Sequence, residues 1–478
     1  MTPQRTTNFI FYGLIIYFII LFTLAPTNLL SFDTYYYWDW SRHLALSYYD
    51  GSPMIAYLIK LSTLLFGDTL FALSFIGILS TAITSWIIYM TGRLFLSKEG
   101  SYIAVALWVF SPFVTLDILK QTTYDTPLTV FWALTLYCST KFIKTHENKW
   151  IYRVGLSIGL MMLSKYSGII LILALFIFLL INYRYLFKTP HLYIAMLLAV
   201  VLFSPVILWN YQHHWDSFLY QLNTHKLETR IHPVWGMFKF FFTTFLPVVN
   251  FMLIPPLLCW LKMPSYFSMR AKRNTSNTTL IVNLCRIACT TLACFYLLTA
   301  SQAVVKNCWL VPYLLTSALL GGFCFQTFHY RKLTFGLIIA YAITSVGILV
   351  NNSPQFALTT PTKLINYYLI QNFNATHHEL PKIVLSPGWM EARSLFFLKN
   401  KPYIYTVDCG RPQNQYIEWS TVINKKIKNK TLKEVLFIDM DNHIACVQKY
   451  FKQCAQLHSP TYTYKKREYT FYAYRCTN

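Results

Sequence analysis

The chain has 478 residues, of which 55% are hydrophobic, 18% aromatic and only 12% charged. A soluble globular chain carries about 25% charged residues, and a mean hydropathy of +0.39 rules out a disordered protein, a coiled coil or a collagen. The charges are lopsided, 41 Lys and Arg against 18 Asp and Glu for a net +23, yet so apolar a chain lacks the polar surface of a nucleic-acid binder. The class expected is a polytopic α-helical membrane protein, in which excess Lys and Arg first reports topology.

A crossing helix needs about 20 mostly apolar residues. Such runs fall near 8–28, 71–92, 101–118, 127–142, 151–165, 167–183, 191–209, 235–260, 286–305, 308–327 and 333–351, which predicts about eleven spans. Met54–Phe66 is short and carries Lys60, so it reads as an interfacial helix. The first run is too long for a signal-peptide core and reads as an uncleaved anchor. With the N-terminus inside, the inner segments up to Asn351 collect 16 basic residues, Arg286 among them, and the outer segments eight. That ratio supports a cytoplasmic N-terminus. Acids partition the other way, two inside and eight outside, and a reaction site on the outer face would explain this.

Residues 1–351 therefore form the membrane domain. Residues 352–478 form a second domain with 17 basic and 8 acidic residues and no spanning run. Strands are expected at Lys382–Ser386, Tyr403–Val407 and Glu434–Met440, and helices at Thr362–Phe373 and Asn442–Cys454. An odd span count puts this mixed α/β domain on the periplasmic side. Seven of eleven cysteines lie in or beside spans, where a thiol behaves as a small hydrophobe. Cys409, Cys446, Cys454 and Cys476 lie in the tail; four cysteines permit two disulfides with three connectivities.

The first outer loop reads Ser31-Phe-Asp33-Thr34-Tyr-Tyr-Tyr-Trp38-Asp39-Trp40-Ser41-Arg42, followed by Tyr48-Tyr49-Asp50-Gly51-Ser52-Pro53-Met54. Trp and Tyr suit the headgroup layer, and they also stack on sugar rings. The second outer turn, Leu116 to Pro127, sets Asp117, Lys120 and Asp125 near the bilayer between two tightly connected spans. Ionisable groups at that depth are costly and usually functional.

These residues carry a resemblance. Asp33 before its Tyr/Trp cluster, Tyr49-Asp50…Pro53-Met54, Asp125-Thr-Pro127, Leu163-Ser164-Lys165-Tyr166 and Phe203-Ser204-Pro205…Trp209-Asn210…Gln212-His213-His-Trp215 occur in this order. Lys306-Asn307-Cys308-Trp309…Pro312 and the tail segments Gly388-Trp…Glu391 and Arg411-Pro…Asn414-Gln415-Tyr416…Trp419 follow. The pattern resembles the bacterial branch of the protein-O-mannosyltransferase-like GT-C glycosyltransferases, which includes the aminoarabinose and galacturonic acid transferases of lipid A. It departs at Thr34, Gly51-Ser52 and Tyr124.

The resemblance implies inverting transfer of a sugar from a polyprenyl-phosphate donor to lipid A or a related envelope glycolipid. It assigns Asp33 as the carboxylate that takes an acceptor proton and Asp125 as an orienting group. The leaving phosphate needs cations, for which Lys165 comes first and Lys306, Arg42 and Lys120 next. Tyr36, Trp38, Tyr49, Asp50, Tyr166, Asn210 and His213 are expected to line the substrate. A divalent metal stays open as a cofactor, with His213, His214 and His225 as candidate ligands. No G-x-x-x-x-G-K-[ST] loop occurs. The other readings left open are a protein O-glycosyltransferase, a lipid or glycan transporter, and an inactive scaffold.

Overall fold

The computed structural model describes residues 3–27, 29–119, 122–223, 233–262, 276–328, 331–352, 362–376, 383–386, 396–398, 401–406, 415–439, 442–464 and 467–478. Among them, seven helical segments are long and apolar enough to cross a membrane: Gln4–Leu24, Leu70–Gly92, Pro190–Gln212, Pro233–Lys262, Asn277–Thr299, Asn307–Phe328 and Lys332–Asn351. The other four expected spans are helical but shorter or more polar. They are Lys98–Val109 with its continuation to Leu119, Asp125–Thr145, Asn148–Ser164 and Ile169–Asn182.

Local chemistry sets many of these boundaries. Thr69, Ser97 and Ser276 cap their helices by accepting the backbone N–H three residues on, which satisfies a donor that the helix leaves open. Ser111-Pro112 interrupts the first of the tightly connected spans, and a π-helical turn follows over Thr115–Leu119. The helices Asn148–Ser164 and Pro190–Gln212 pack closely because Gly155 faces the Ala195 backbone carbonyl and Gly159 faces Leu202. A Cβ at Gly155 would come within 2.2 Å of that oxygen, so a larger residue would force the helices apart.

Two expectations are corrected here. Arg286 does not sit in an inner loop; it lies inside the helix Asn277–Thr299, buried, with its guanidinium 3.8 Å from the Trp260 ring centroid and donating to Asn283 Oδ1. The apolar run begins before Arg286, and the charge is accommodated by burial against an aromatic face rather than by exclusion. The helix expected over Asn442–Cys454 is only the single turn Ala445–Gln448, and Cys454 belongs to a strand.

The C-terminal domain is a five-stranded sheet. Its strands are β1 (Ile383–Ser386), β2 (Tyr403–Thr406), β3 (Glu434–Asp439), β4 (Gln453–Gln456) and β7 (Tyr472–Thr477), in the order β2-β1-β3-β7-β4. β1 runs parallel to β2 and β3, and β7 is antiparallel to β3 and β4. β5 (Thr461–Tyr464) and β6 (Arg467–Thr470) form a separate hairpin. Cys454 and Cys476 face each other across β4 and β7 and are disulfide-bonded. Cys446 is also disulfide-bonded; Cys409 lies outside the described residues.

The period-two alternation of β3 divides the core. Val435 and Phe437 point to one face, which holds Ile423 and Ile427 of the helix Gln415–Lys428. Leu436 and Ile438 point to the other, which holds Leu369, Ile370 and Phe373. That second core also contains Tyr35, Tyr36, Tyr37, Trp38, Trp40 and Tyr48 of the first loop, together with Ile55 and Ile59. The aromatic run is thus buried rather than spread over a surface. It is the apolar joint that fastens the membrane domain to the C-terminal domain.

Candidate active site

The first loop is held rigid from its start. Ser31 caps the helix Phe32–Arg42 by accepting the Thr34 N–H, which puts Asp33 in the first turn and Arg42 in the last. Both placements complement the helix dipole. Asp33 is half-buried and Tyr37, one turn on, is buried. The Tyr37 ring lies 4.7 Å from that of Tyr124, the residue before Asp125. Burial first, and then Tyr124 and Asp33, push the Tyr37 hydroxyl well above its ordinary pKa.

Asp50 closes the opposite side. It is buried, and the Tyr36 hydroxyl donates to its Oδ2 at 2.6 Å. Gln221 Nε2 donates to its backbone carbonyl at 2.5 Å. Burial pushes the Asp50 carboxyl up to about 7; the Tyr36 hydrogen bond opposes this, nearby Asp33 adds to it, and the Gln415 backbone N–H and Lys306 oppose it. A carboxyl that titrates near neutrality beside a second carboxylate is the pattern of groups that handle protons. Its Oδ1 is buried and has no hydrogen-bond partner among the described residues.

Asp125 and Lys165 form the third element. Asp125 heads the helix Asp125–Thr145 and is buried. Lys165 sits in the extended break after the helix Asn148–Ser164. Its Nζ donates to both carboxylate oxygens, at 2.6 and 2.7 Å. The ammonium also lies 5.4 Å from the Tyr124 ring centroid and 5.9 Å from that of Trp309. Lys165 is therefore no snorkelling side chain. An ammonium has three donors, and Asp125 takes two. Lys306 is exposed at the break before Asn307 and makes no ion pair among the described residues.

Several expected site residues have other employment. Arg42 is committed to Asp39 Oδ1 at 3.1 Å and to the carbonyls of Pro402 and Lys401 at 3.1 and 2.9 Å. Its guanidinium also stacks on Tyr403. It clamps the two domains instead of offering a fork to phosphate. Trp38 is fully buried, with Nε1 on Asp68 Oδ1 at 2.8 Å and its ring against Phe396, so it lines no substrate space. Asn210 is buried, accepting from Ser217 and donating to Val206 O. Tyr166 shares its hydroxyl with Ser217 and Ser47. Tyr49 is half-buried, with its ring edge-on to Tyr220.

His213 stacks on Trp209 at 4.0 Å and faces Glu418 at 3.8 Å. His214 follows with a left-handed backbone. His225 and Lys120 lie outside the described residues, as does the Asp117 side chain. Among the described residues, no three His, Cys, Asp or Glu side chains gather as metal ligands. Sequence reasoning gave no site role to Gln221, Gln415 or Tyr37; Tyr37 and Gln415 belong to the segments that carry the resemblance, but neither residue type nor spacing names their partners.

Comparison with known proteins fits this geometry. The family described as dolichyl-phosphate-mannose-protein mannosyltransferase matches residues 50–209, which contain Asp50, Asp125 and Lys165. The crystal structure of ArnT from Cupriavidus metallidurans in the apo state superposes with a TM-score of 0.69 at 13% identity, covering 98% of both chains. At that identity the likeness is one of fold. The same protein bound to undecaprenyl phosphate matches the chain equally, with a TM-score of 0.69. The lipid A galacturonosyltransferase RgtD of Rhizobium johnstonii is 28% identical over 209 residues, 42% of this chain. The chain spans less than half, 44%, of the length of that relative.

Proposed function

We propose that the protein is an inner-membrane glycosyltransferase that moves a sugar from a polyprenyl-phosphate donor to lipid A or a related envelope glycolipid, with inversion. The observation that carries this reading is the convergence of Asp33, Asp50 and the Asp125–Lys165 pair on Tyr37 and Tyr124, in a chain whose fold matches a protein crystallised with undecaprenyl phosphate.

In the reaction, an acceptor oxygen attacks the anomeric carbon from the face opposite the phosphate. The carbon–oxygen bond to phosphate breaks and the polyprenyl phosphate leaves with its electron pair. The third N–H of Lys165 and the exposed ammonium of Lys306 stabilise the charge that develops on it. If the acceptor is a hydroxyl, Asp33 takes its proton. If it is an already ionised phosphate, Asp33 orients it. The topology in this reading is eleven crossings, with the N-terminus cytoplasmic and the C-terminal domain periplasmic. The disulfide between Cys454 and Cys476 favours that side, since disulfides persist in oxidising compartments.

The test is transfer in detergent from radiolabelled polyprenyl-phosphate sugars. Lipid A and a Ser/Thr-containing peptide are offered as separate acceptors, because the matching family description names a protein mannosyltransferase. Label is expected on lipid A, and loss of at least 100-fold in Asp33→Ala. Label on the peptide alone would favour a protein acceptor. No transfer to either, or transfer untouched in Asp33→Ala, would refute the assignment. A reporter fused after Asn351 is expected to be active only on the periplasmic side.

A further inference from the structure

The C-terminal domain does more than cover the joint. Its helix Gln415–Lys428 packs its later turns on the sheet through Ile423 and Ile427, while its first turn enters the first-loop core. Gln415 is buried there. Its backbone N–H donates to the Tyr36 hydroxyl at 3.0 Å, and its side-chain Oε1 accepts the Tyr49 N–H at 2.5 Å. Tyr36 in turn donates to Asp50 Oδ2. One residue of the C-terminal domain thus grips both the hydroxyl that holds the Asp50 carboxyl and the Tyr48–Tyr49 peptide unit, one residue before Asp50.

We propose that Gln415 is a positioning residue, supplied by the C-terminal domain, that fixes the Asp50 carboxyl in the carboxylate cluster so that its buried Oδ1 meets a hydroxyl of the bound sugar or acceptor. This rests on the glycosyltransferase reading for the identity of that hydroxyl, but not for the hydrogen-bond chain itself. The chain is specific in its directions. Tyr36 can donate only one proton, and Asp50 takes it; the Gln415 N–H fills an acceptor site on the same oxygen, which locks the phenol's orientation. Oδ2 is thereby committed and Oδ1 is left as the free acceptor.

The groups facing Asp50 come from each surrounding element. Asp33, Tyr36 and Tyr37 come from the helix Phe32–Arg42, Tyr49 from its own loop, Tyr124 from the turn before Asp125, and Lys306 from the break before Asn307. Gln415 is a contact to this set that does not itself titrate. Removing its side chain frees the Tyr48–Tyr49 peptide that leads into Asp50, whereas replacing its amide with a carboxylate keeps the acceptor and adds a negative charge.

Two variants and two readouts test this. Gln415→Ala is expected to lower kcat about 10-fold with KM for the polyprenyl donor changed less than 2-fold, because a misplaced group costs rate rather than donor binding. Gln415→Glu is expected to keep kcat at its plateau within about 3-fold and to move the limb of the pH–rate profile that reports Asp50 to higher pH. The second readout needs no activity. The pH at which thermal stability in detergent stops changing near neutrality is expected to rise in Gln415→Glu, and Asp50→Asn in the same background is expected to abolish that rise. If wild type transfers sugar but neither variant moves kcat or the pH limb, the positioning role is overturned. If wild type transfers nothing, the functional reading fails, while the stability profile still decides the hydrogen-bond chain: an unmoved profile in Gln415→Glu overturns it.

Discussion

Removing Asp125 tests the ion pair at the centre of the site. Asp125 is buried and Lys165 keeps 14% of its side-chain surface exposed, with two contacts of 2.6 and 2.7 Å. At an effective dielectric near 20, charges at that separation attract by about 6 kcal/mol before desolvation is subtracted. Asp125→Ala removes that attraction and strands an ammonium among Tyr124, Trp309 and Tyr296. Breaking a buried pair from one side costs about 3–5 kcal/mol, whereas replacing both partners by apolar groups is near neutral. Asp125→Ala is therefore expected to unfold several degrees below wild type in a detergent melt followed by tryptophan fluorescence. Asp125→Ala with Lys165→Met is expected to recover most of the loss. Transfer activity stays low in the double variant, because stability returns without the cation. A double variant no more stable than the sum of the single losses would mean that the two groups are energetically independent, and the pair would lose its structural role. Lys165→Ala alone, with full donor use, would remove the phosphate contact from the mechanism.

Asp50 predicts a pH signature. Its carboxyl moves from 3.8 to about 7 in the folded chain, an interval worth ~4 kcal/mol. Between those values the folded chain holds a proton that the unfolded chain has lost, so raising the pH removes stability until about pH 7 and none beyond. Asp50→Asn is expected to flatten that decline; an identical melting profile from pH 4 to 7 would show that Asp50 does not carry it. Arg42→Ala removes the bonds to Asp39, Pro402 and Lys401. It is expected to speed proteolysis of the C-terminal domain at least 10-fold without abolishing membrane insertion, as read by limited trypsin digestion.

The helices were legible because each expected span carries a run of apolar residues, and the sequence also marked Asp125 and Lys165 as ionisable groups at membrane depth. What it could not reveal is that they meet. They are 40 residues apart, and only the close packing of the two helices between them, Asp125–Thr145 and Asn148–Ser164, brings one to the other. Trp38 was misread for a physical reason: a buried joint and a sugar platform draw on the same aromatic residues, and composition does not say which face is covered. Arg42 was misread because a guanidinium suits carbonyls and carboxylates as well as phosphate. Gln415 stood out only as part of the tail segment that carries the resemblance, since an uncharged amide in a polar helix start is ordinary until its partners are known. Cys454 fell into an expected helix because four strand residues are too few to override an apolar run of helical period.

The helix Asn307–Phe328 has 89% of its most apolar window inside the protein. It packs against Lys98–Val109, Asp125–Thr145, Ile254–Lys262 and Asn277–Thr299, with Thr316 accepting from Trp132 and Gly321 meeting Leu107. All of those neighbours leave the ribosome before it does. The growing chain must therefore enter the membrane around an unfilled centre, with the Trp132 indole N–H facing lipid, and the bundle closes only when this late helix arrives. Nonsense mutations and stalled translation before Phe328 would then release a membrane-inserted but hollow intermediate, a substrate for quality-control proteases rather than a partly active enzyme.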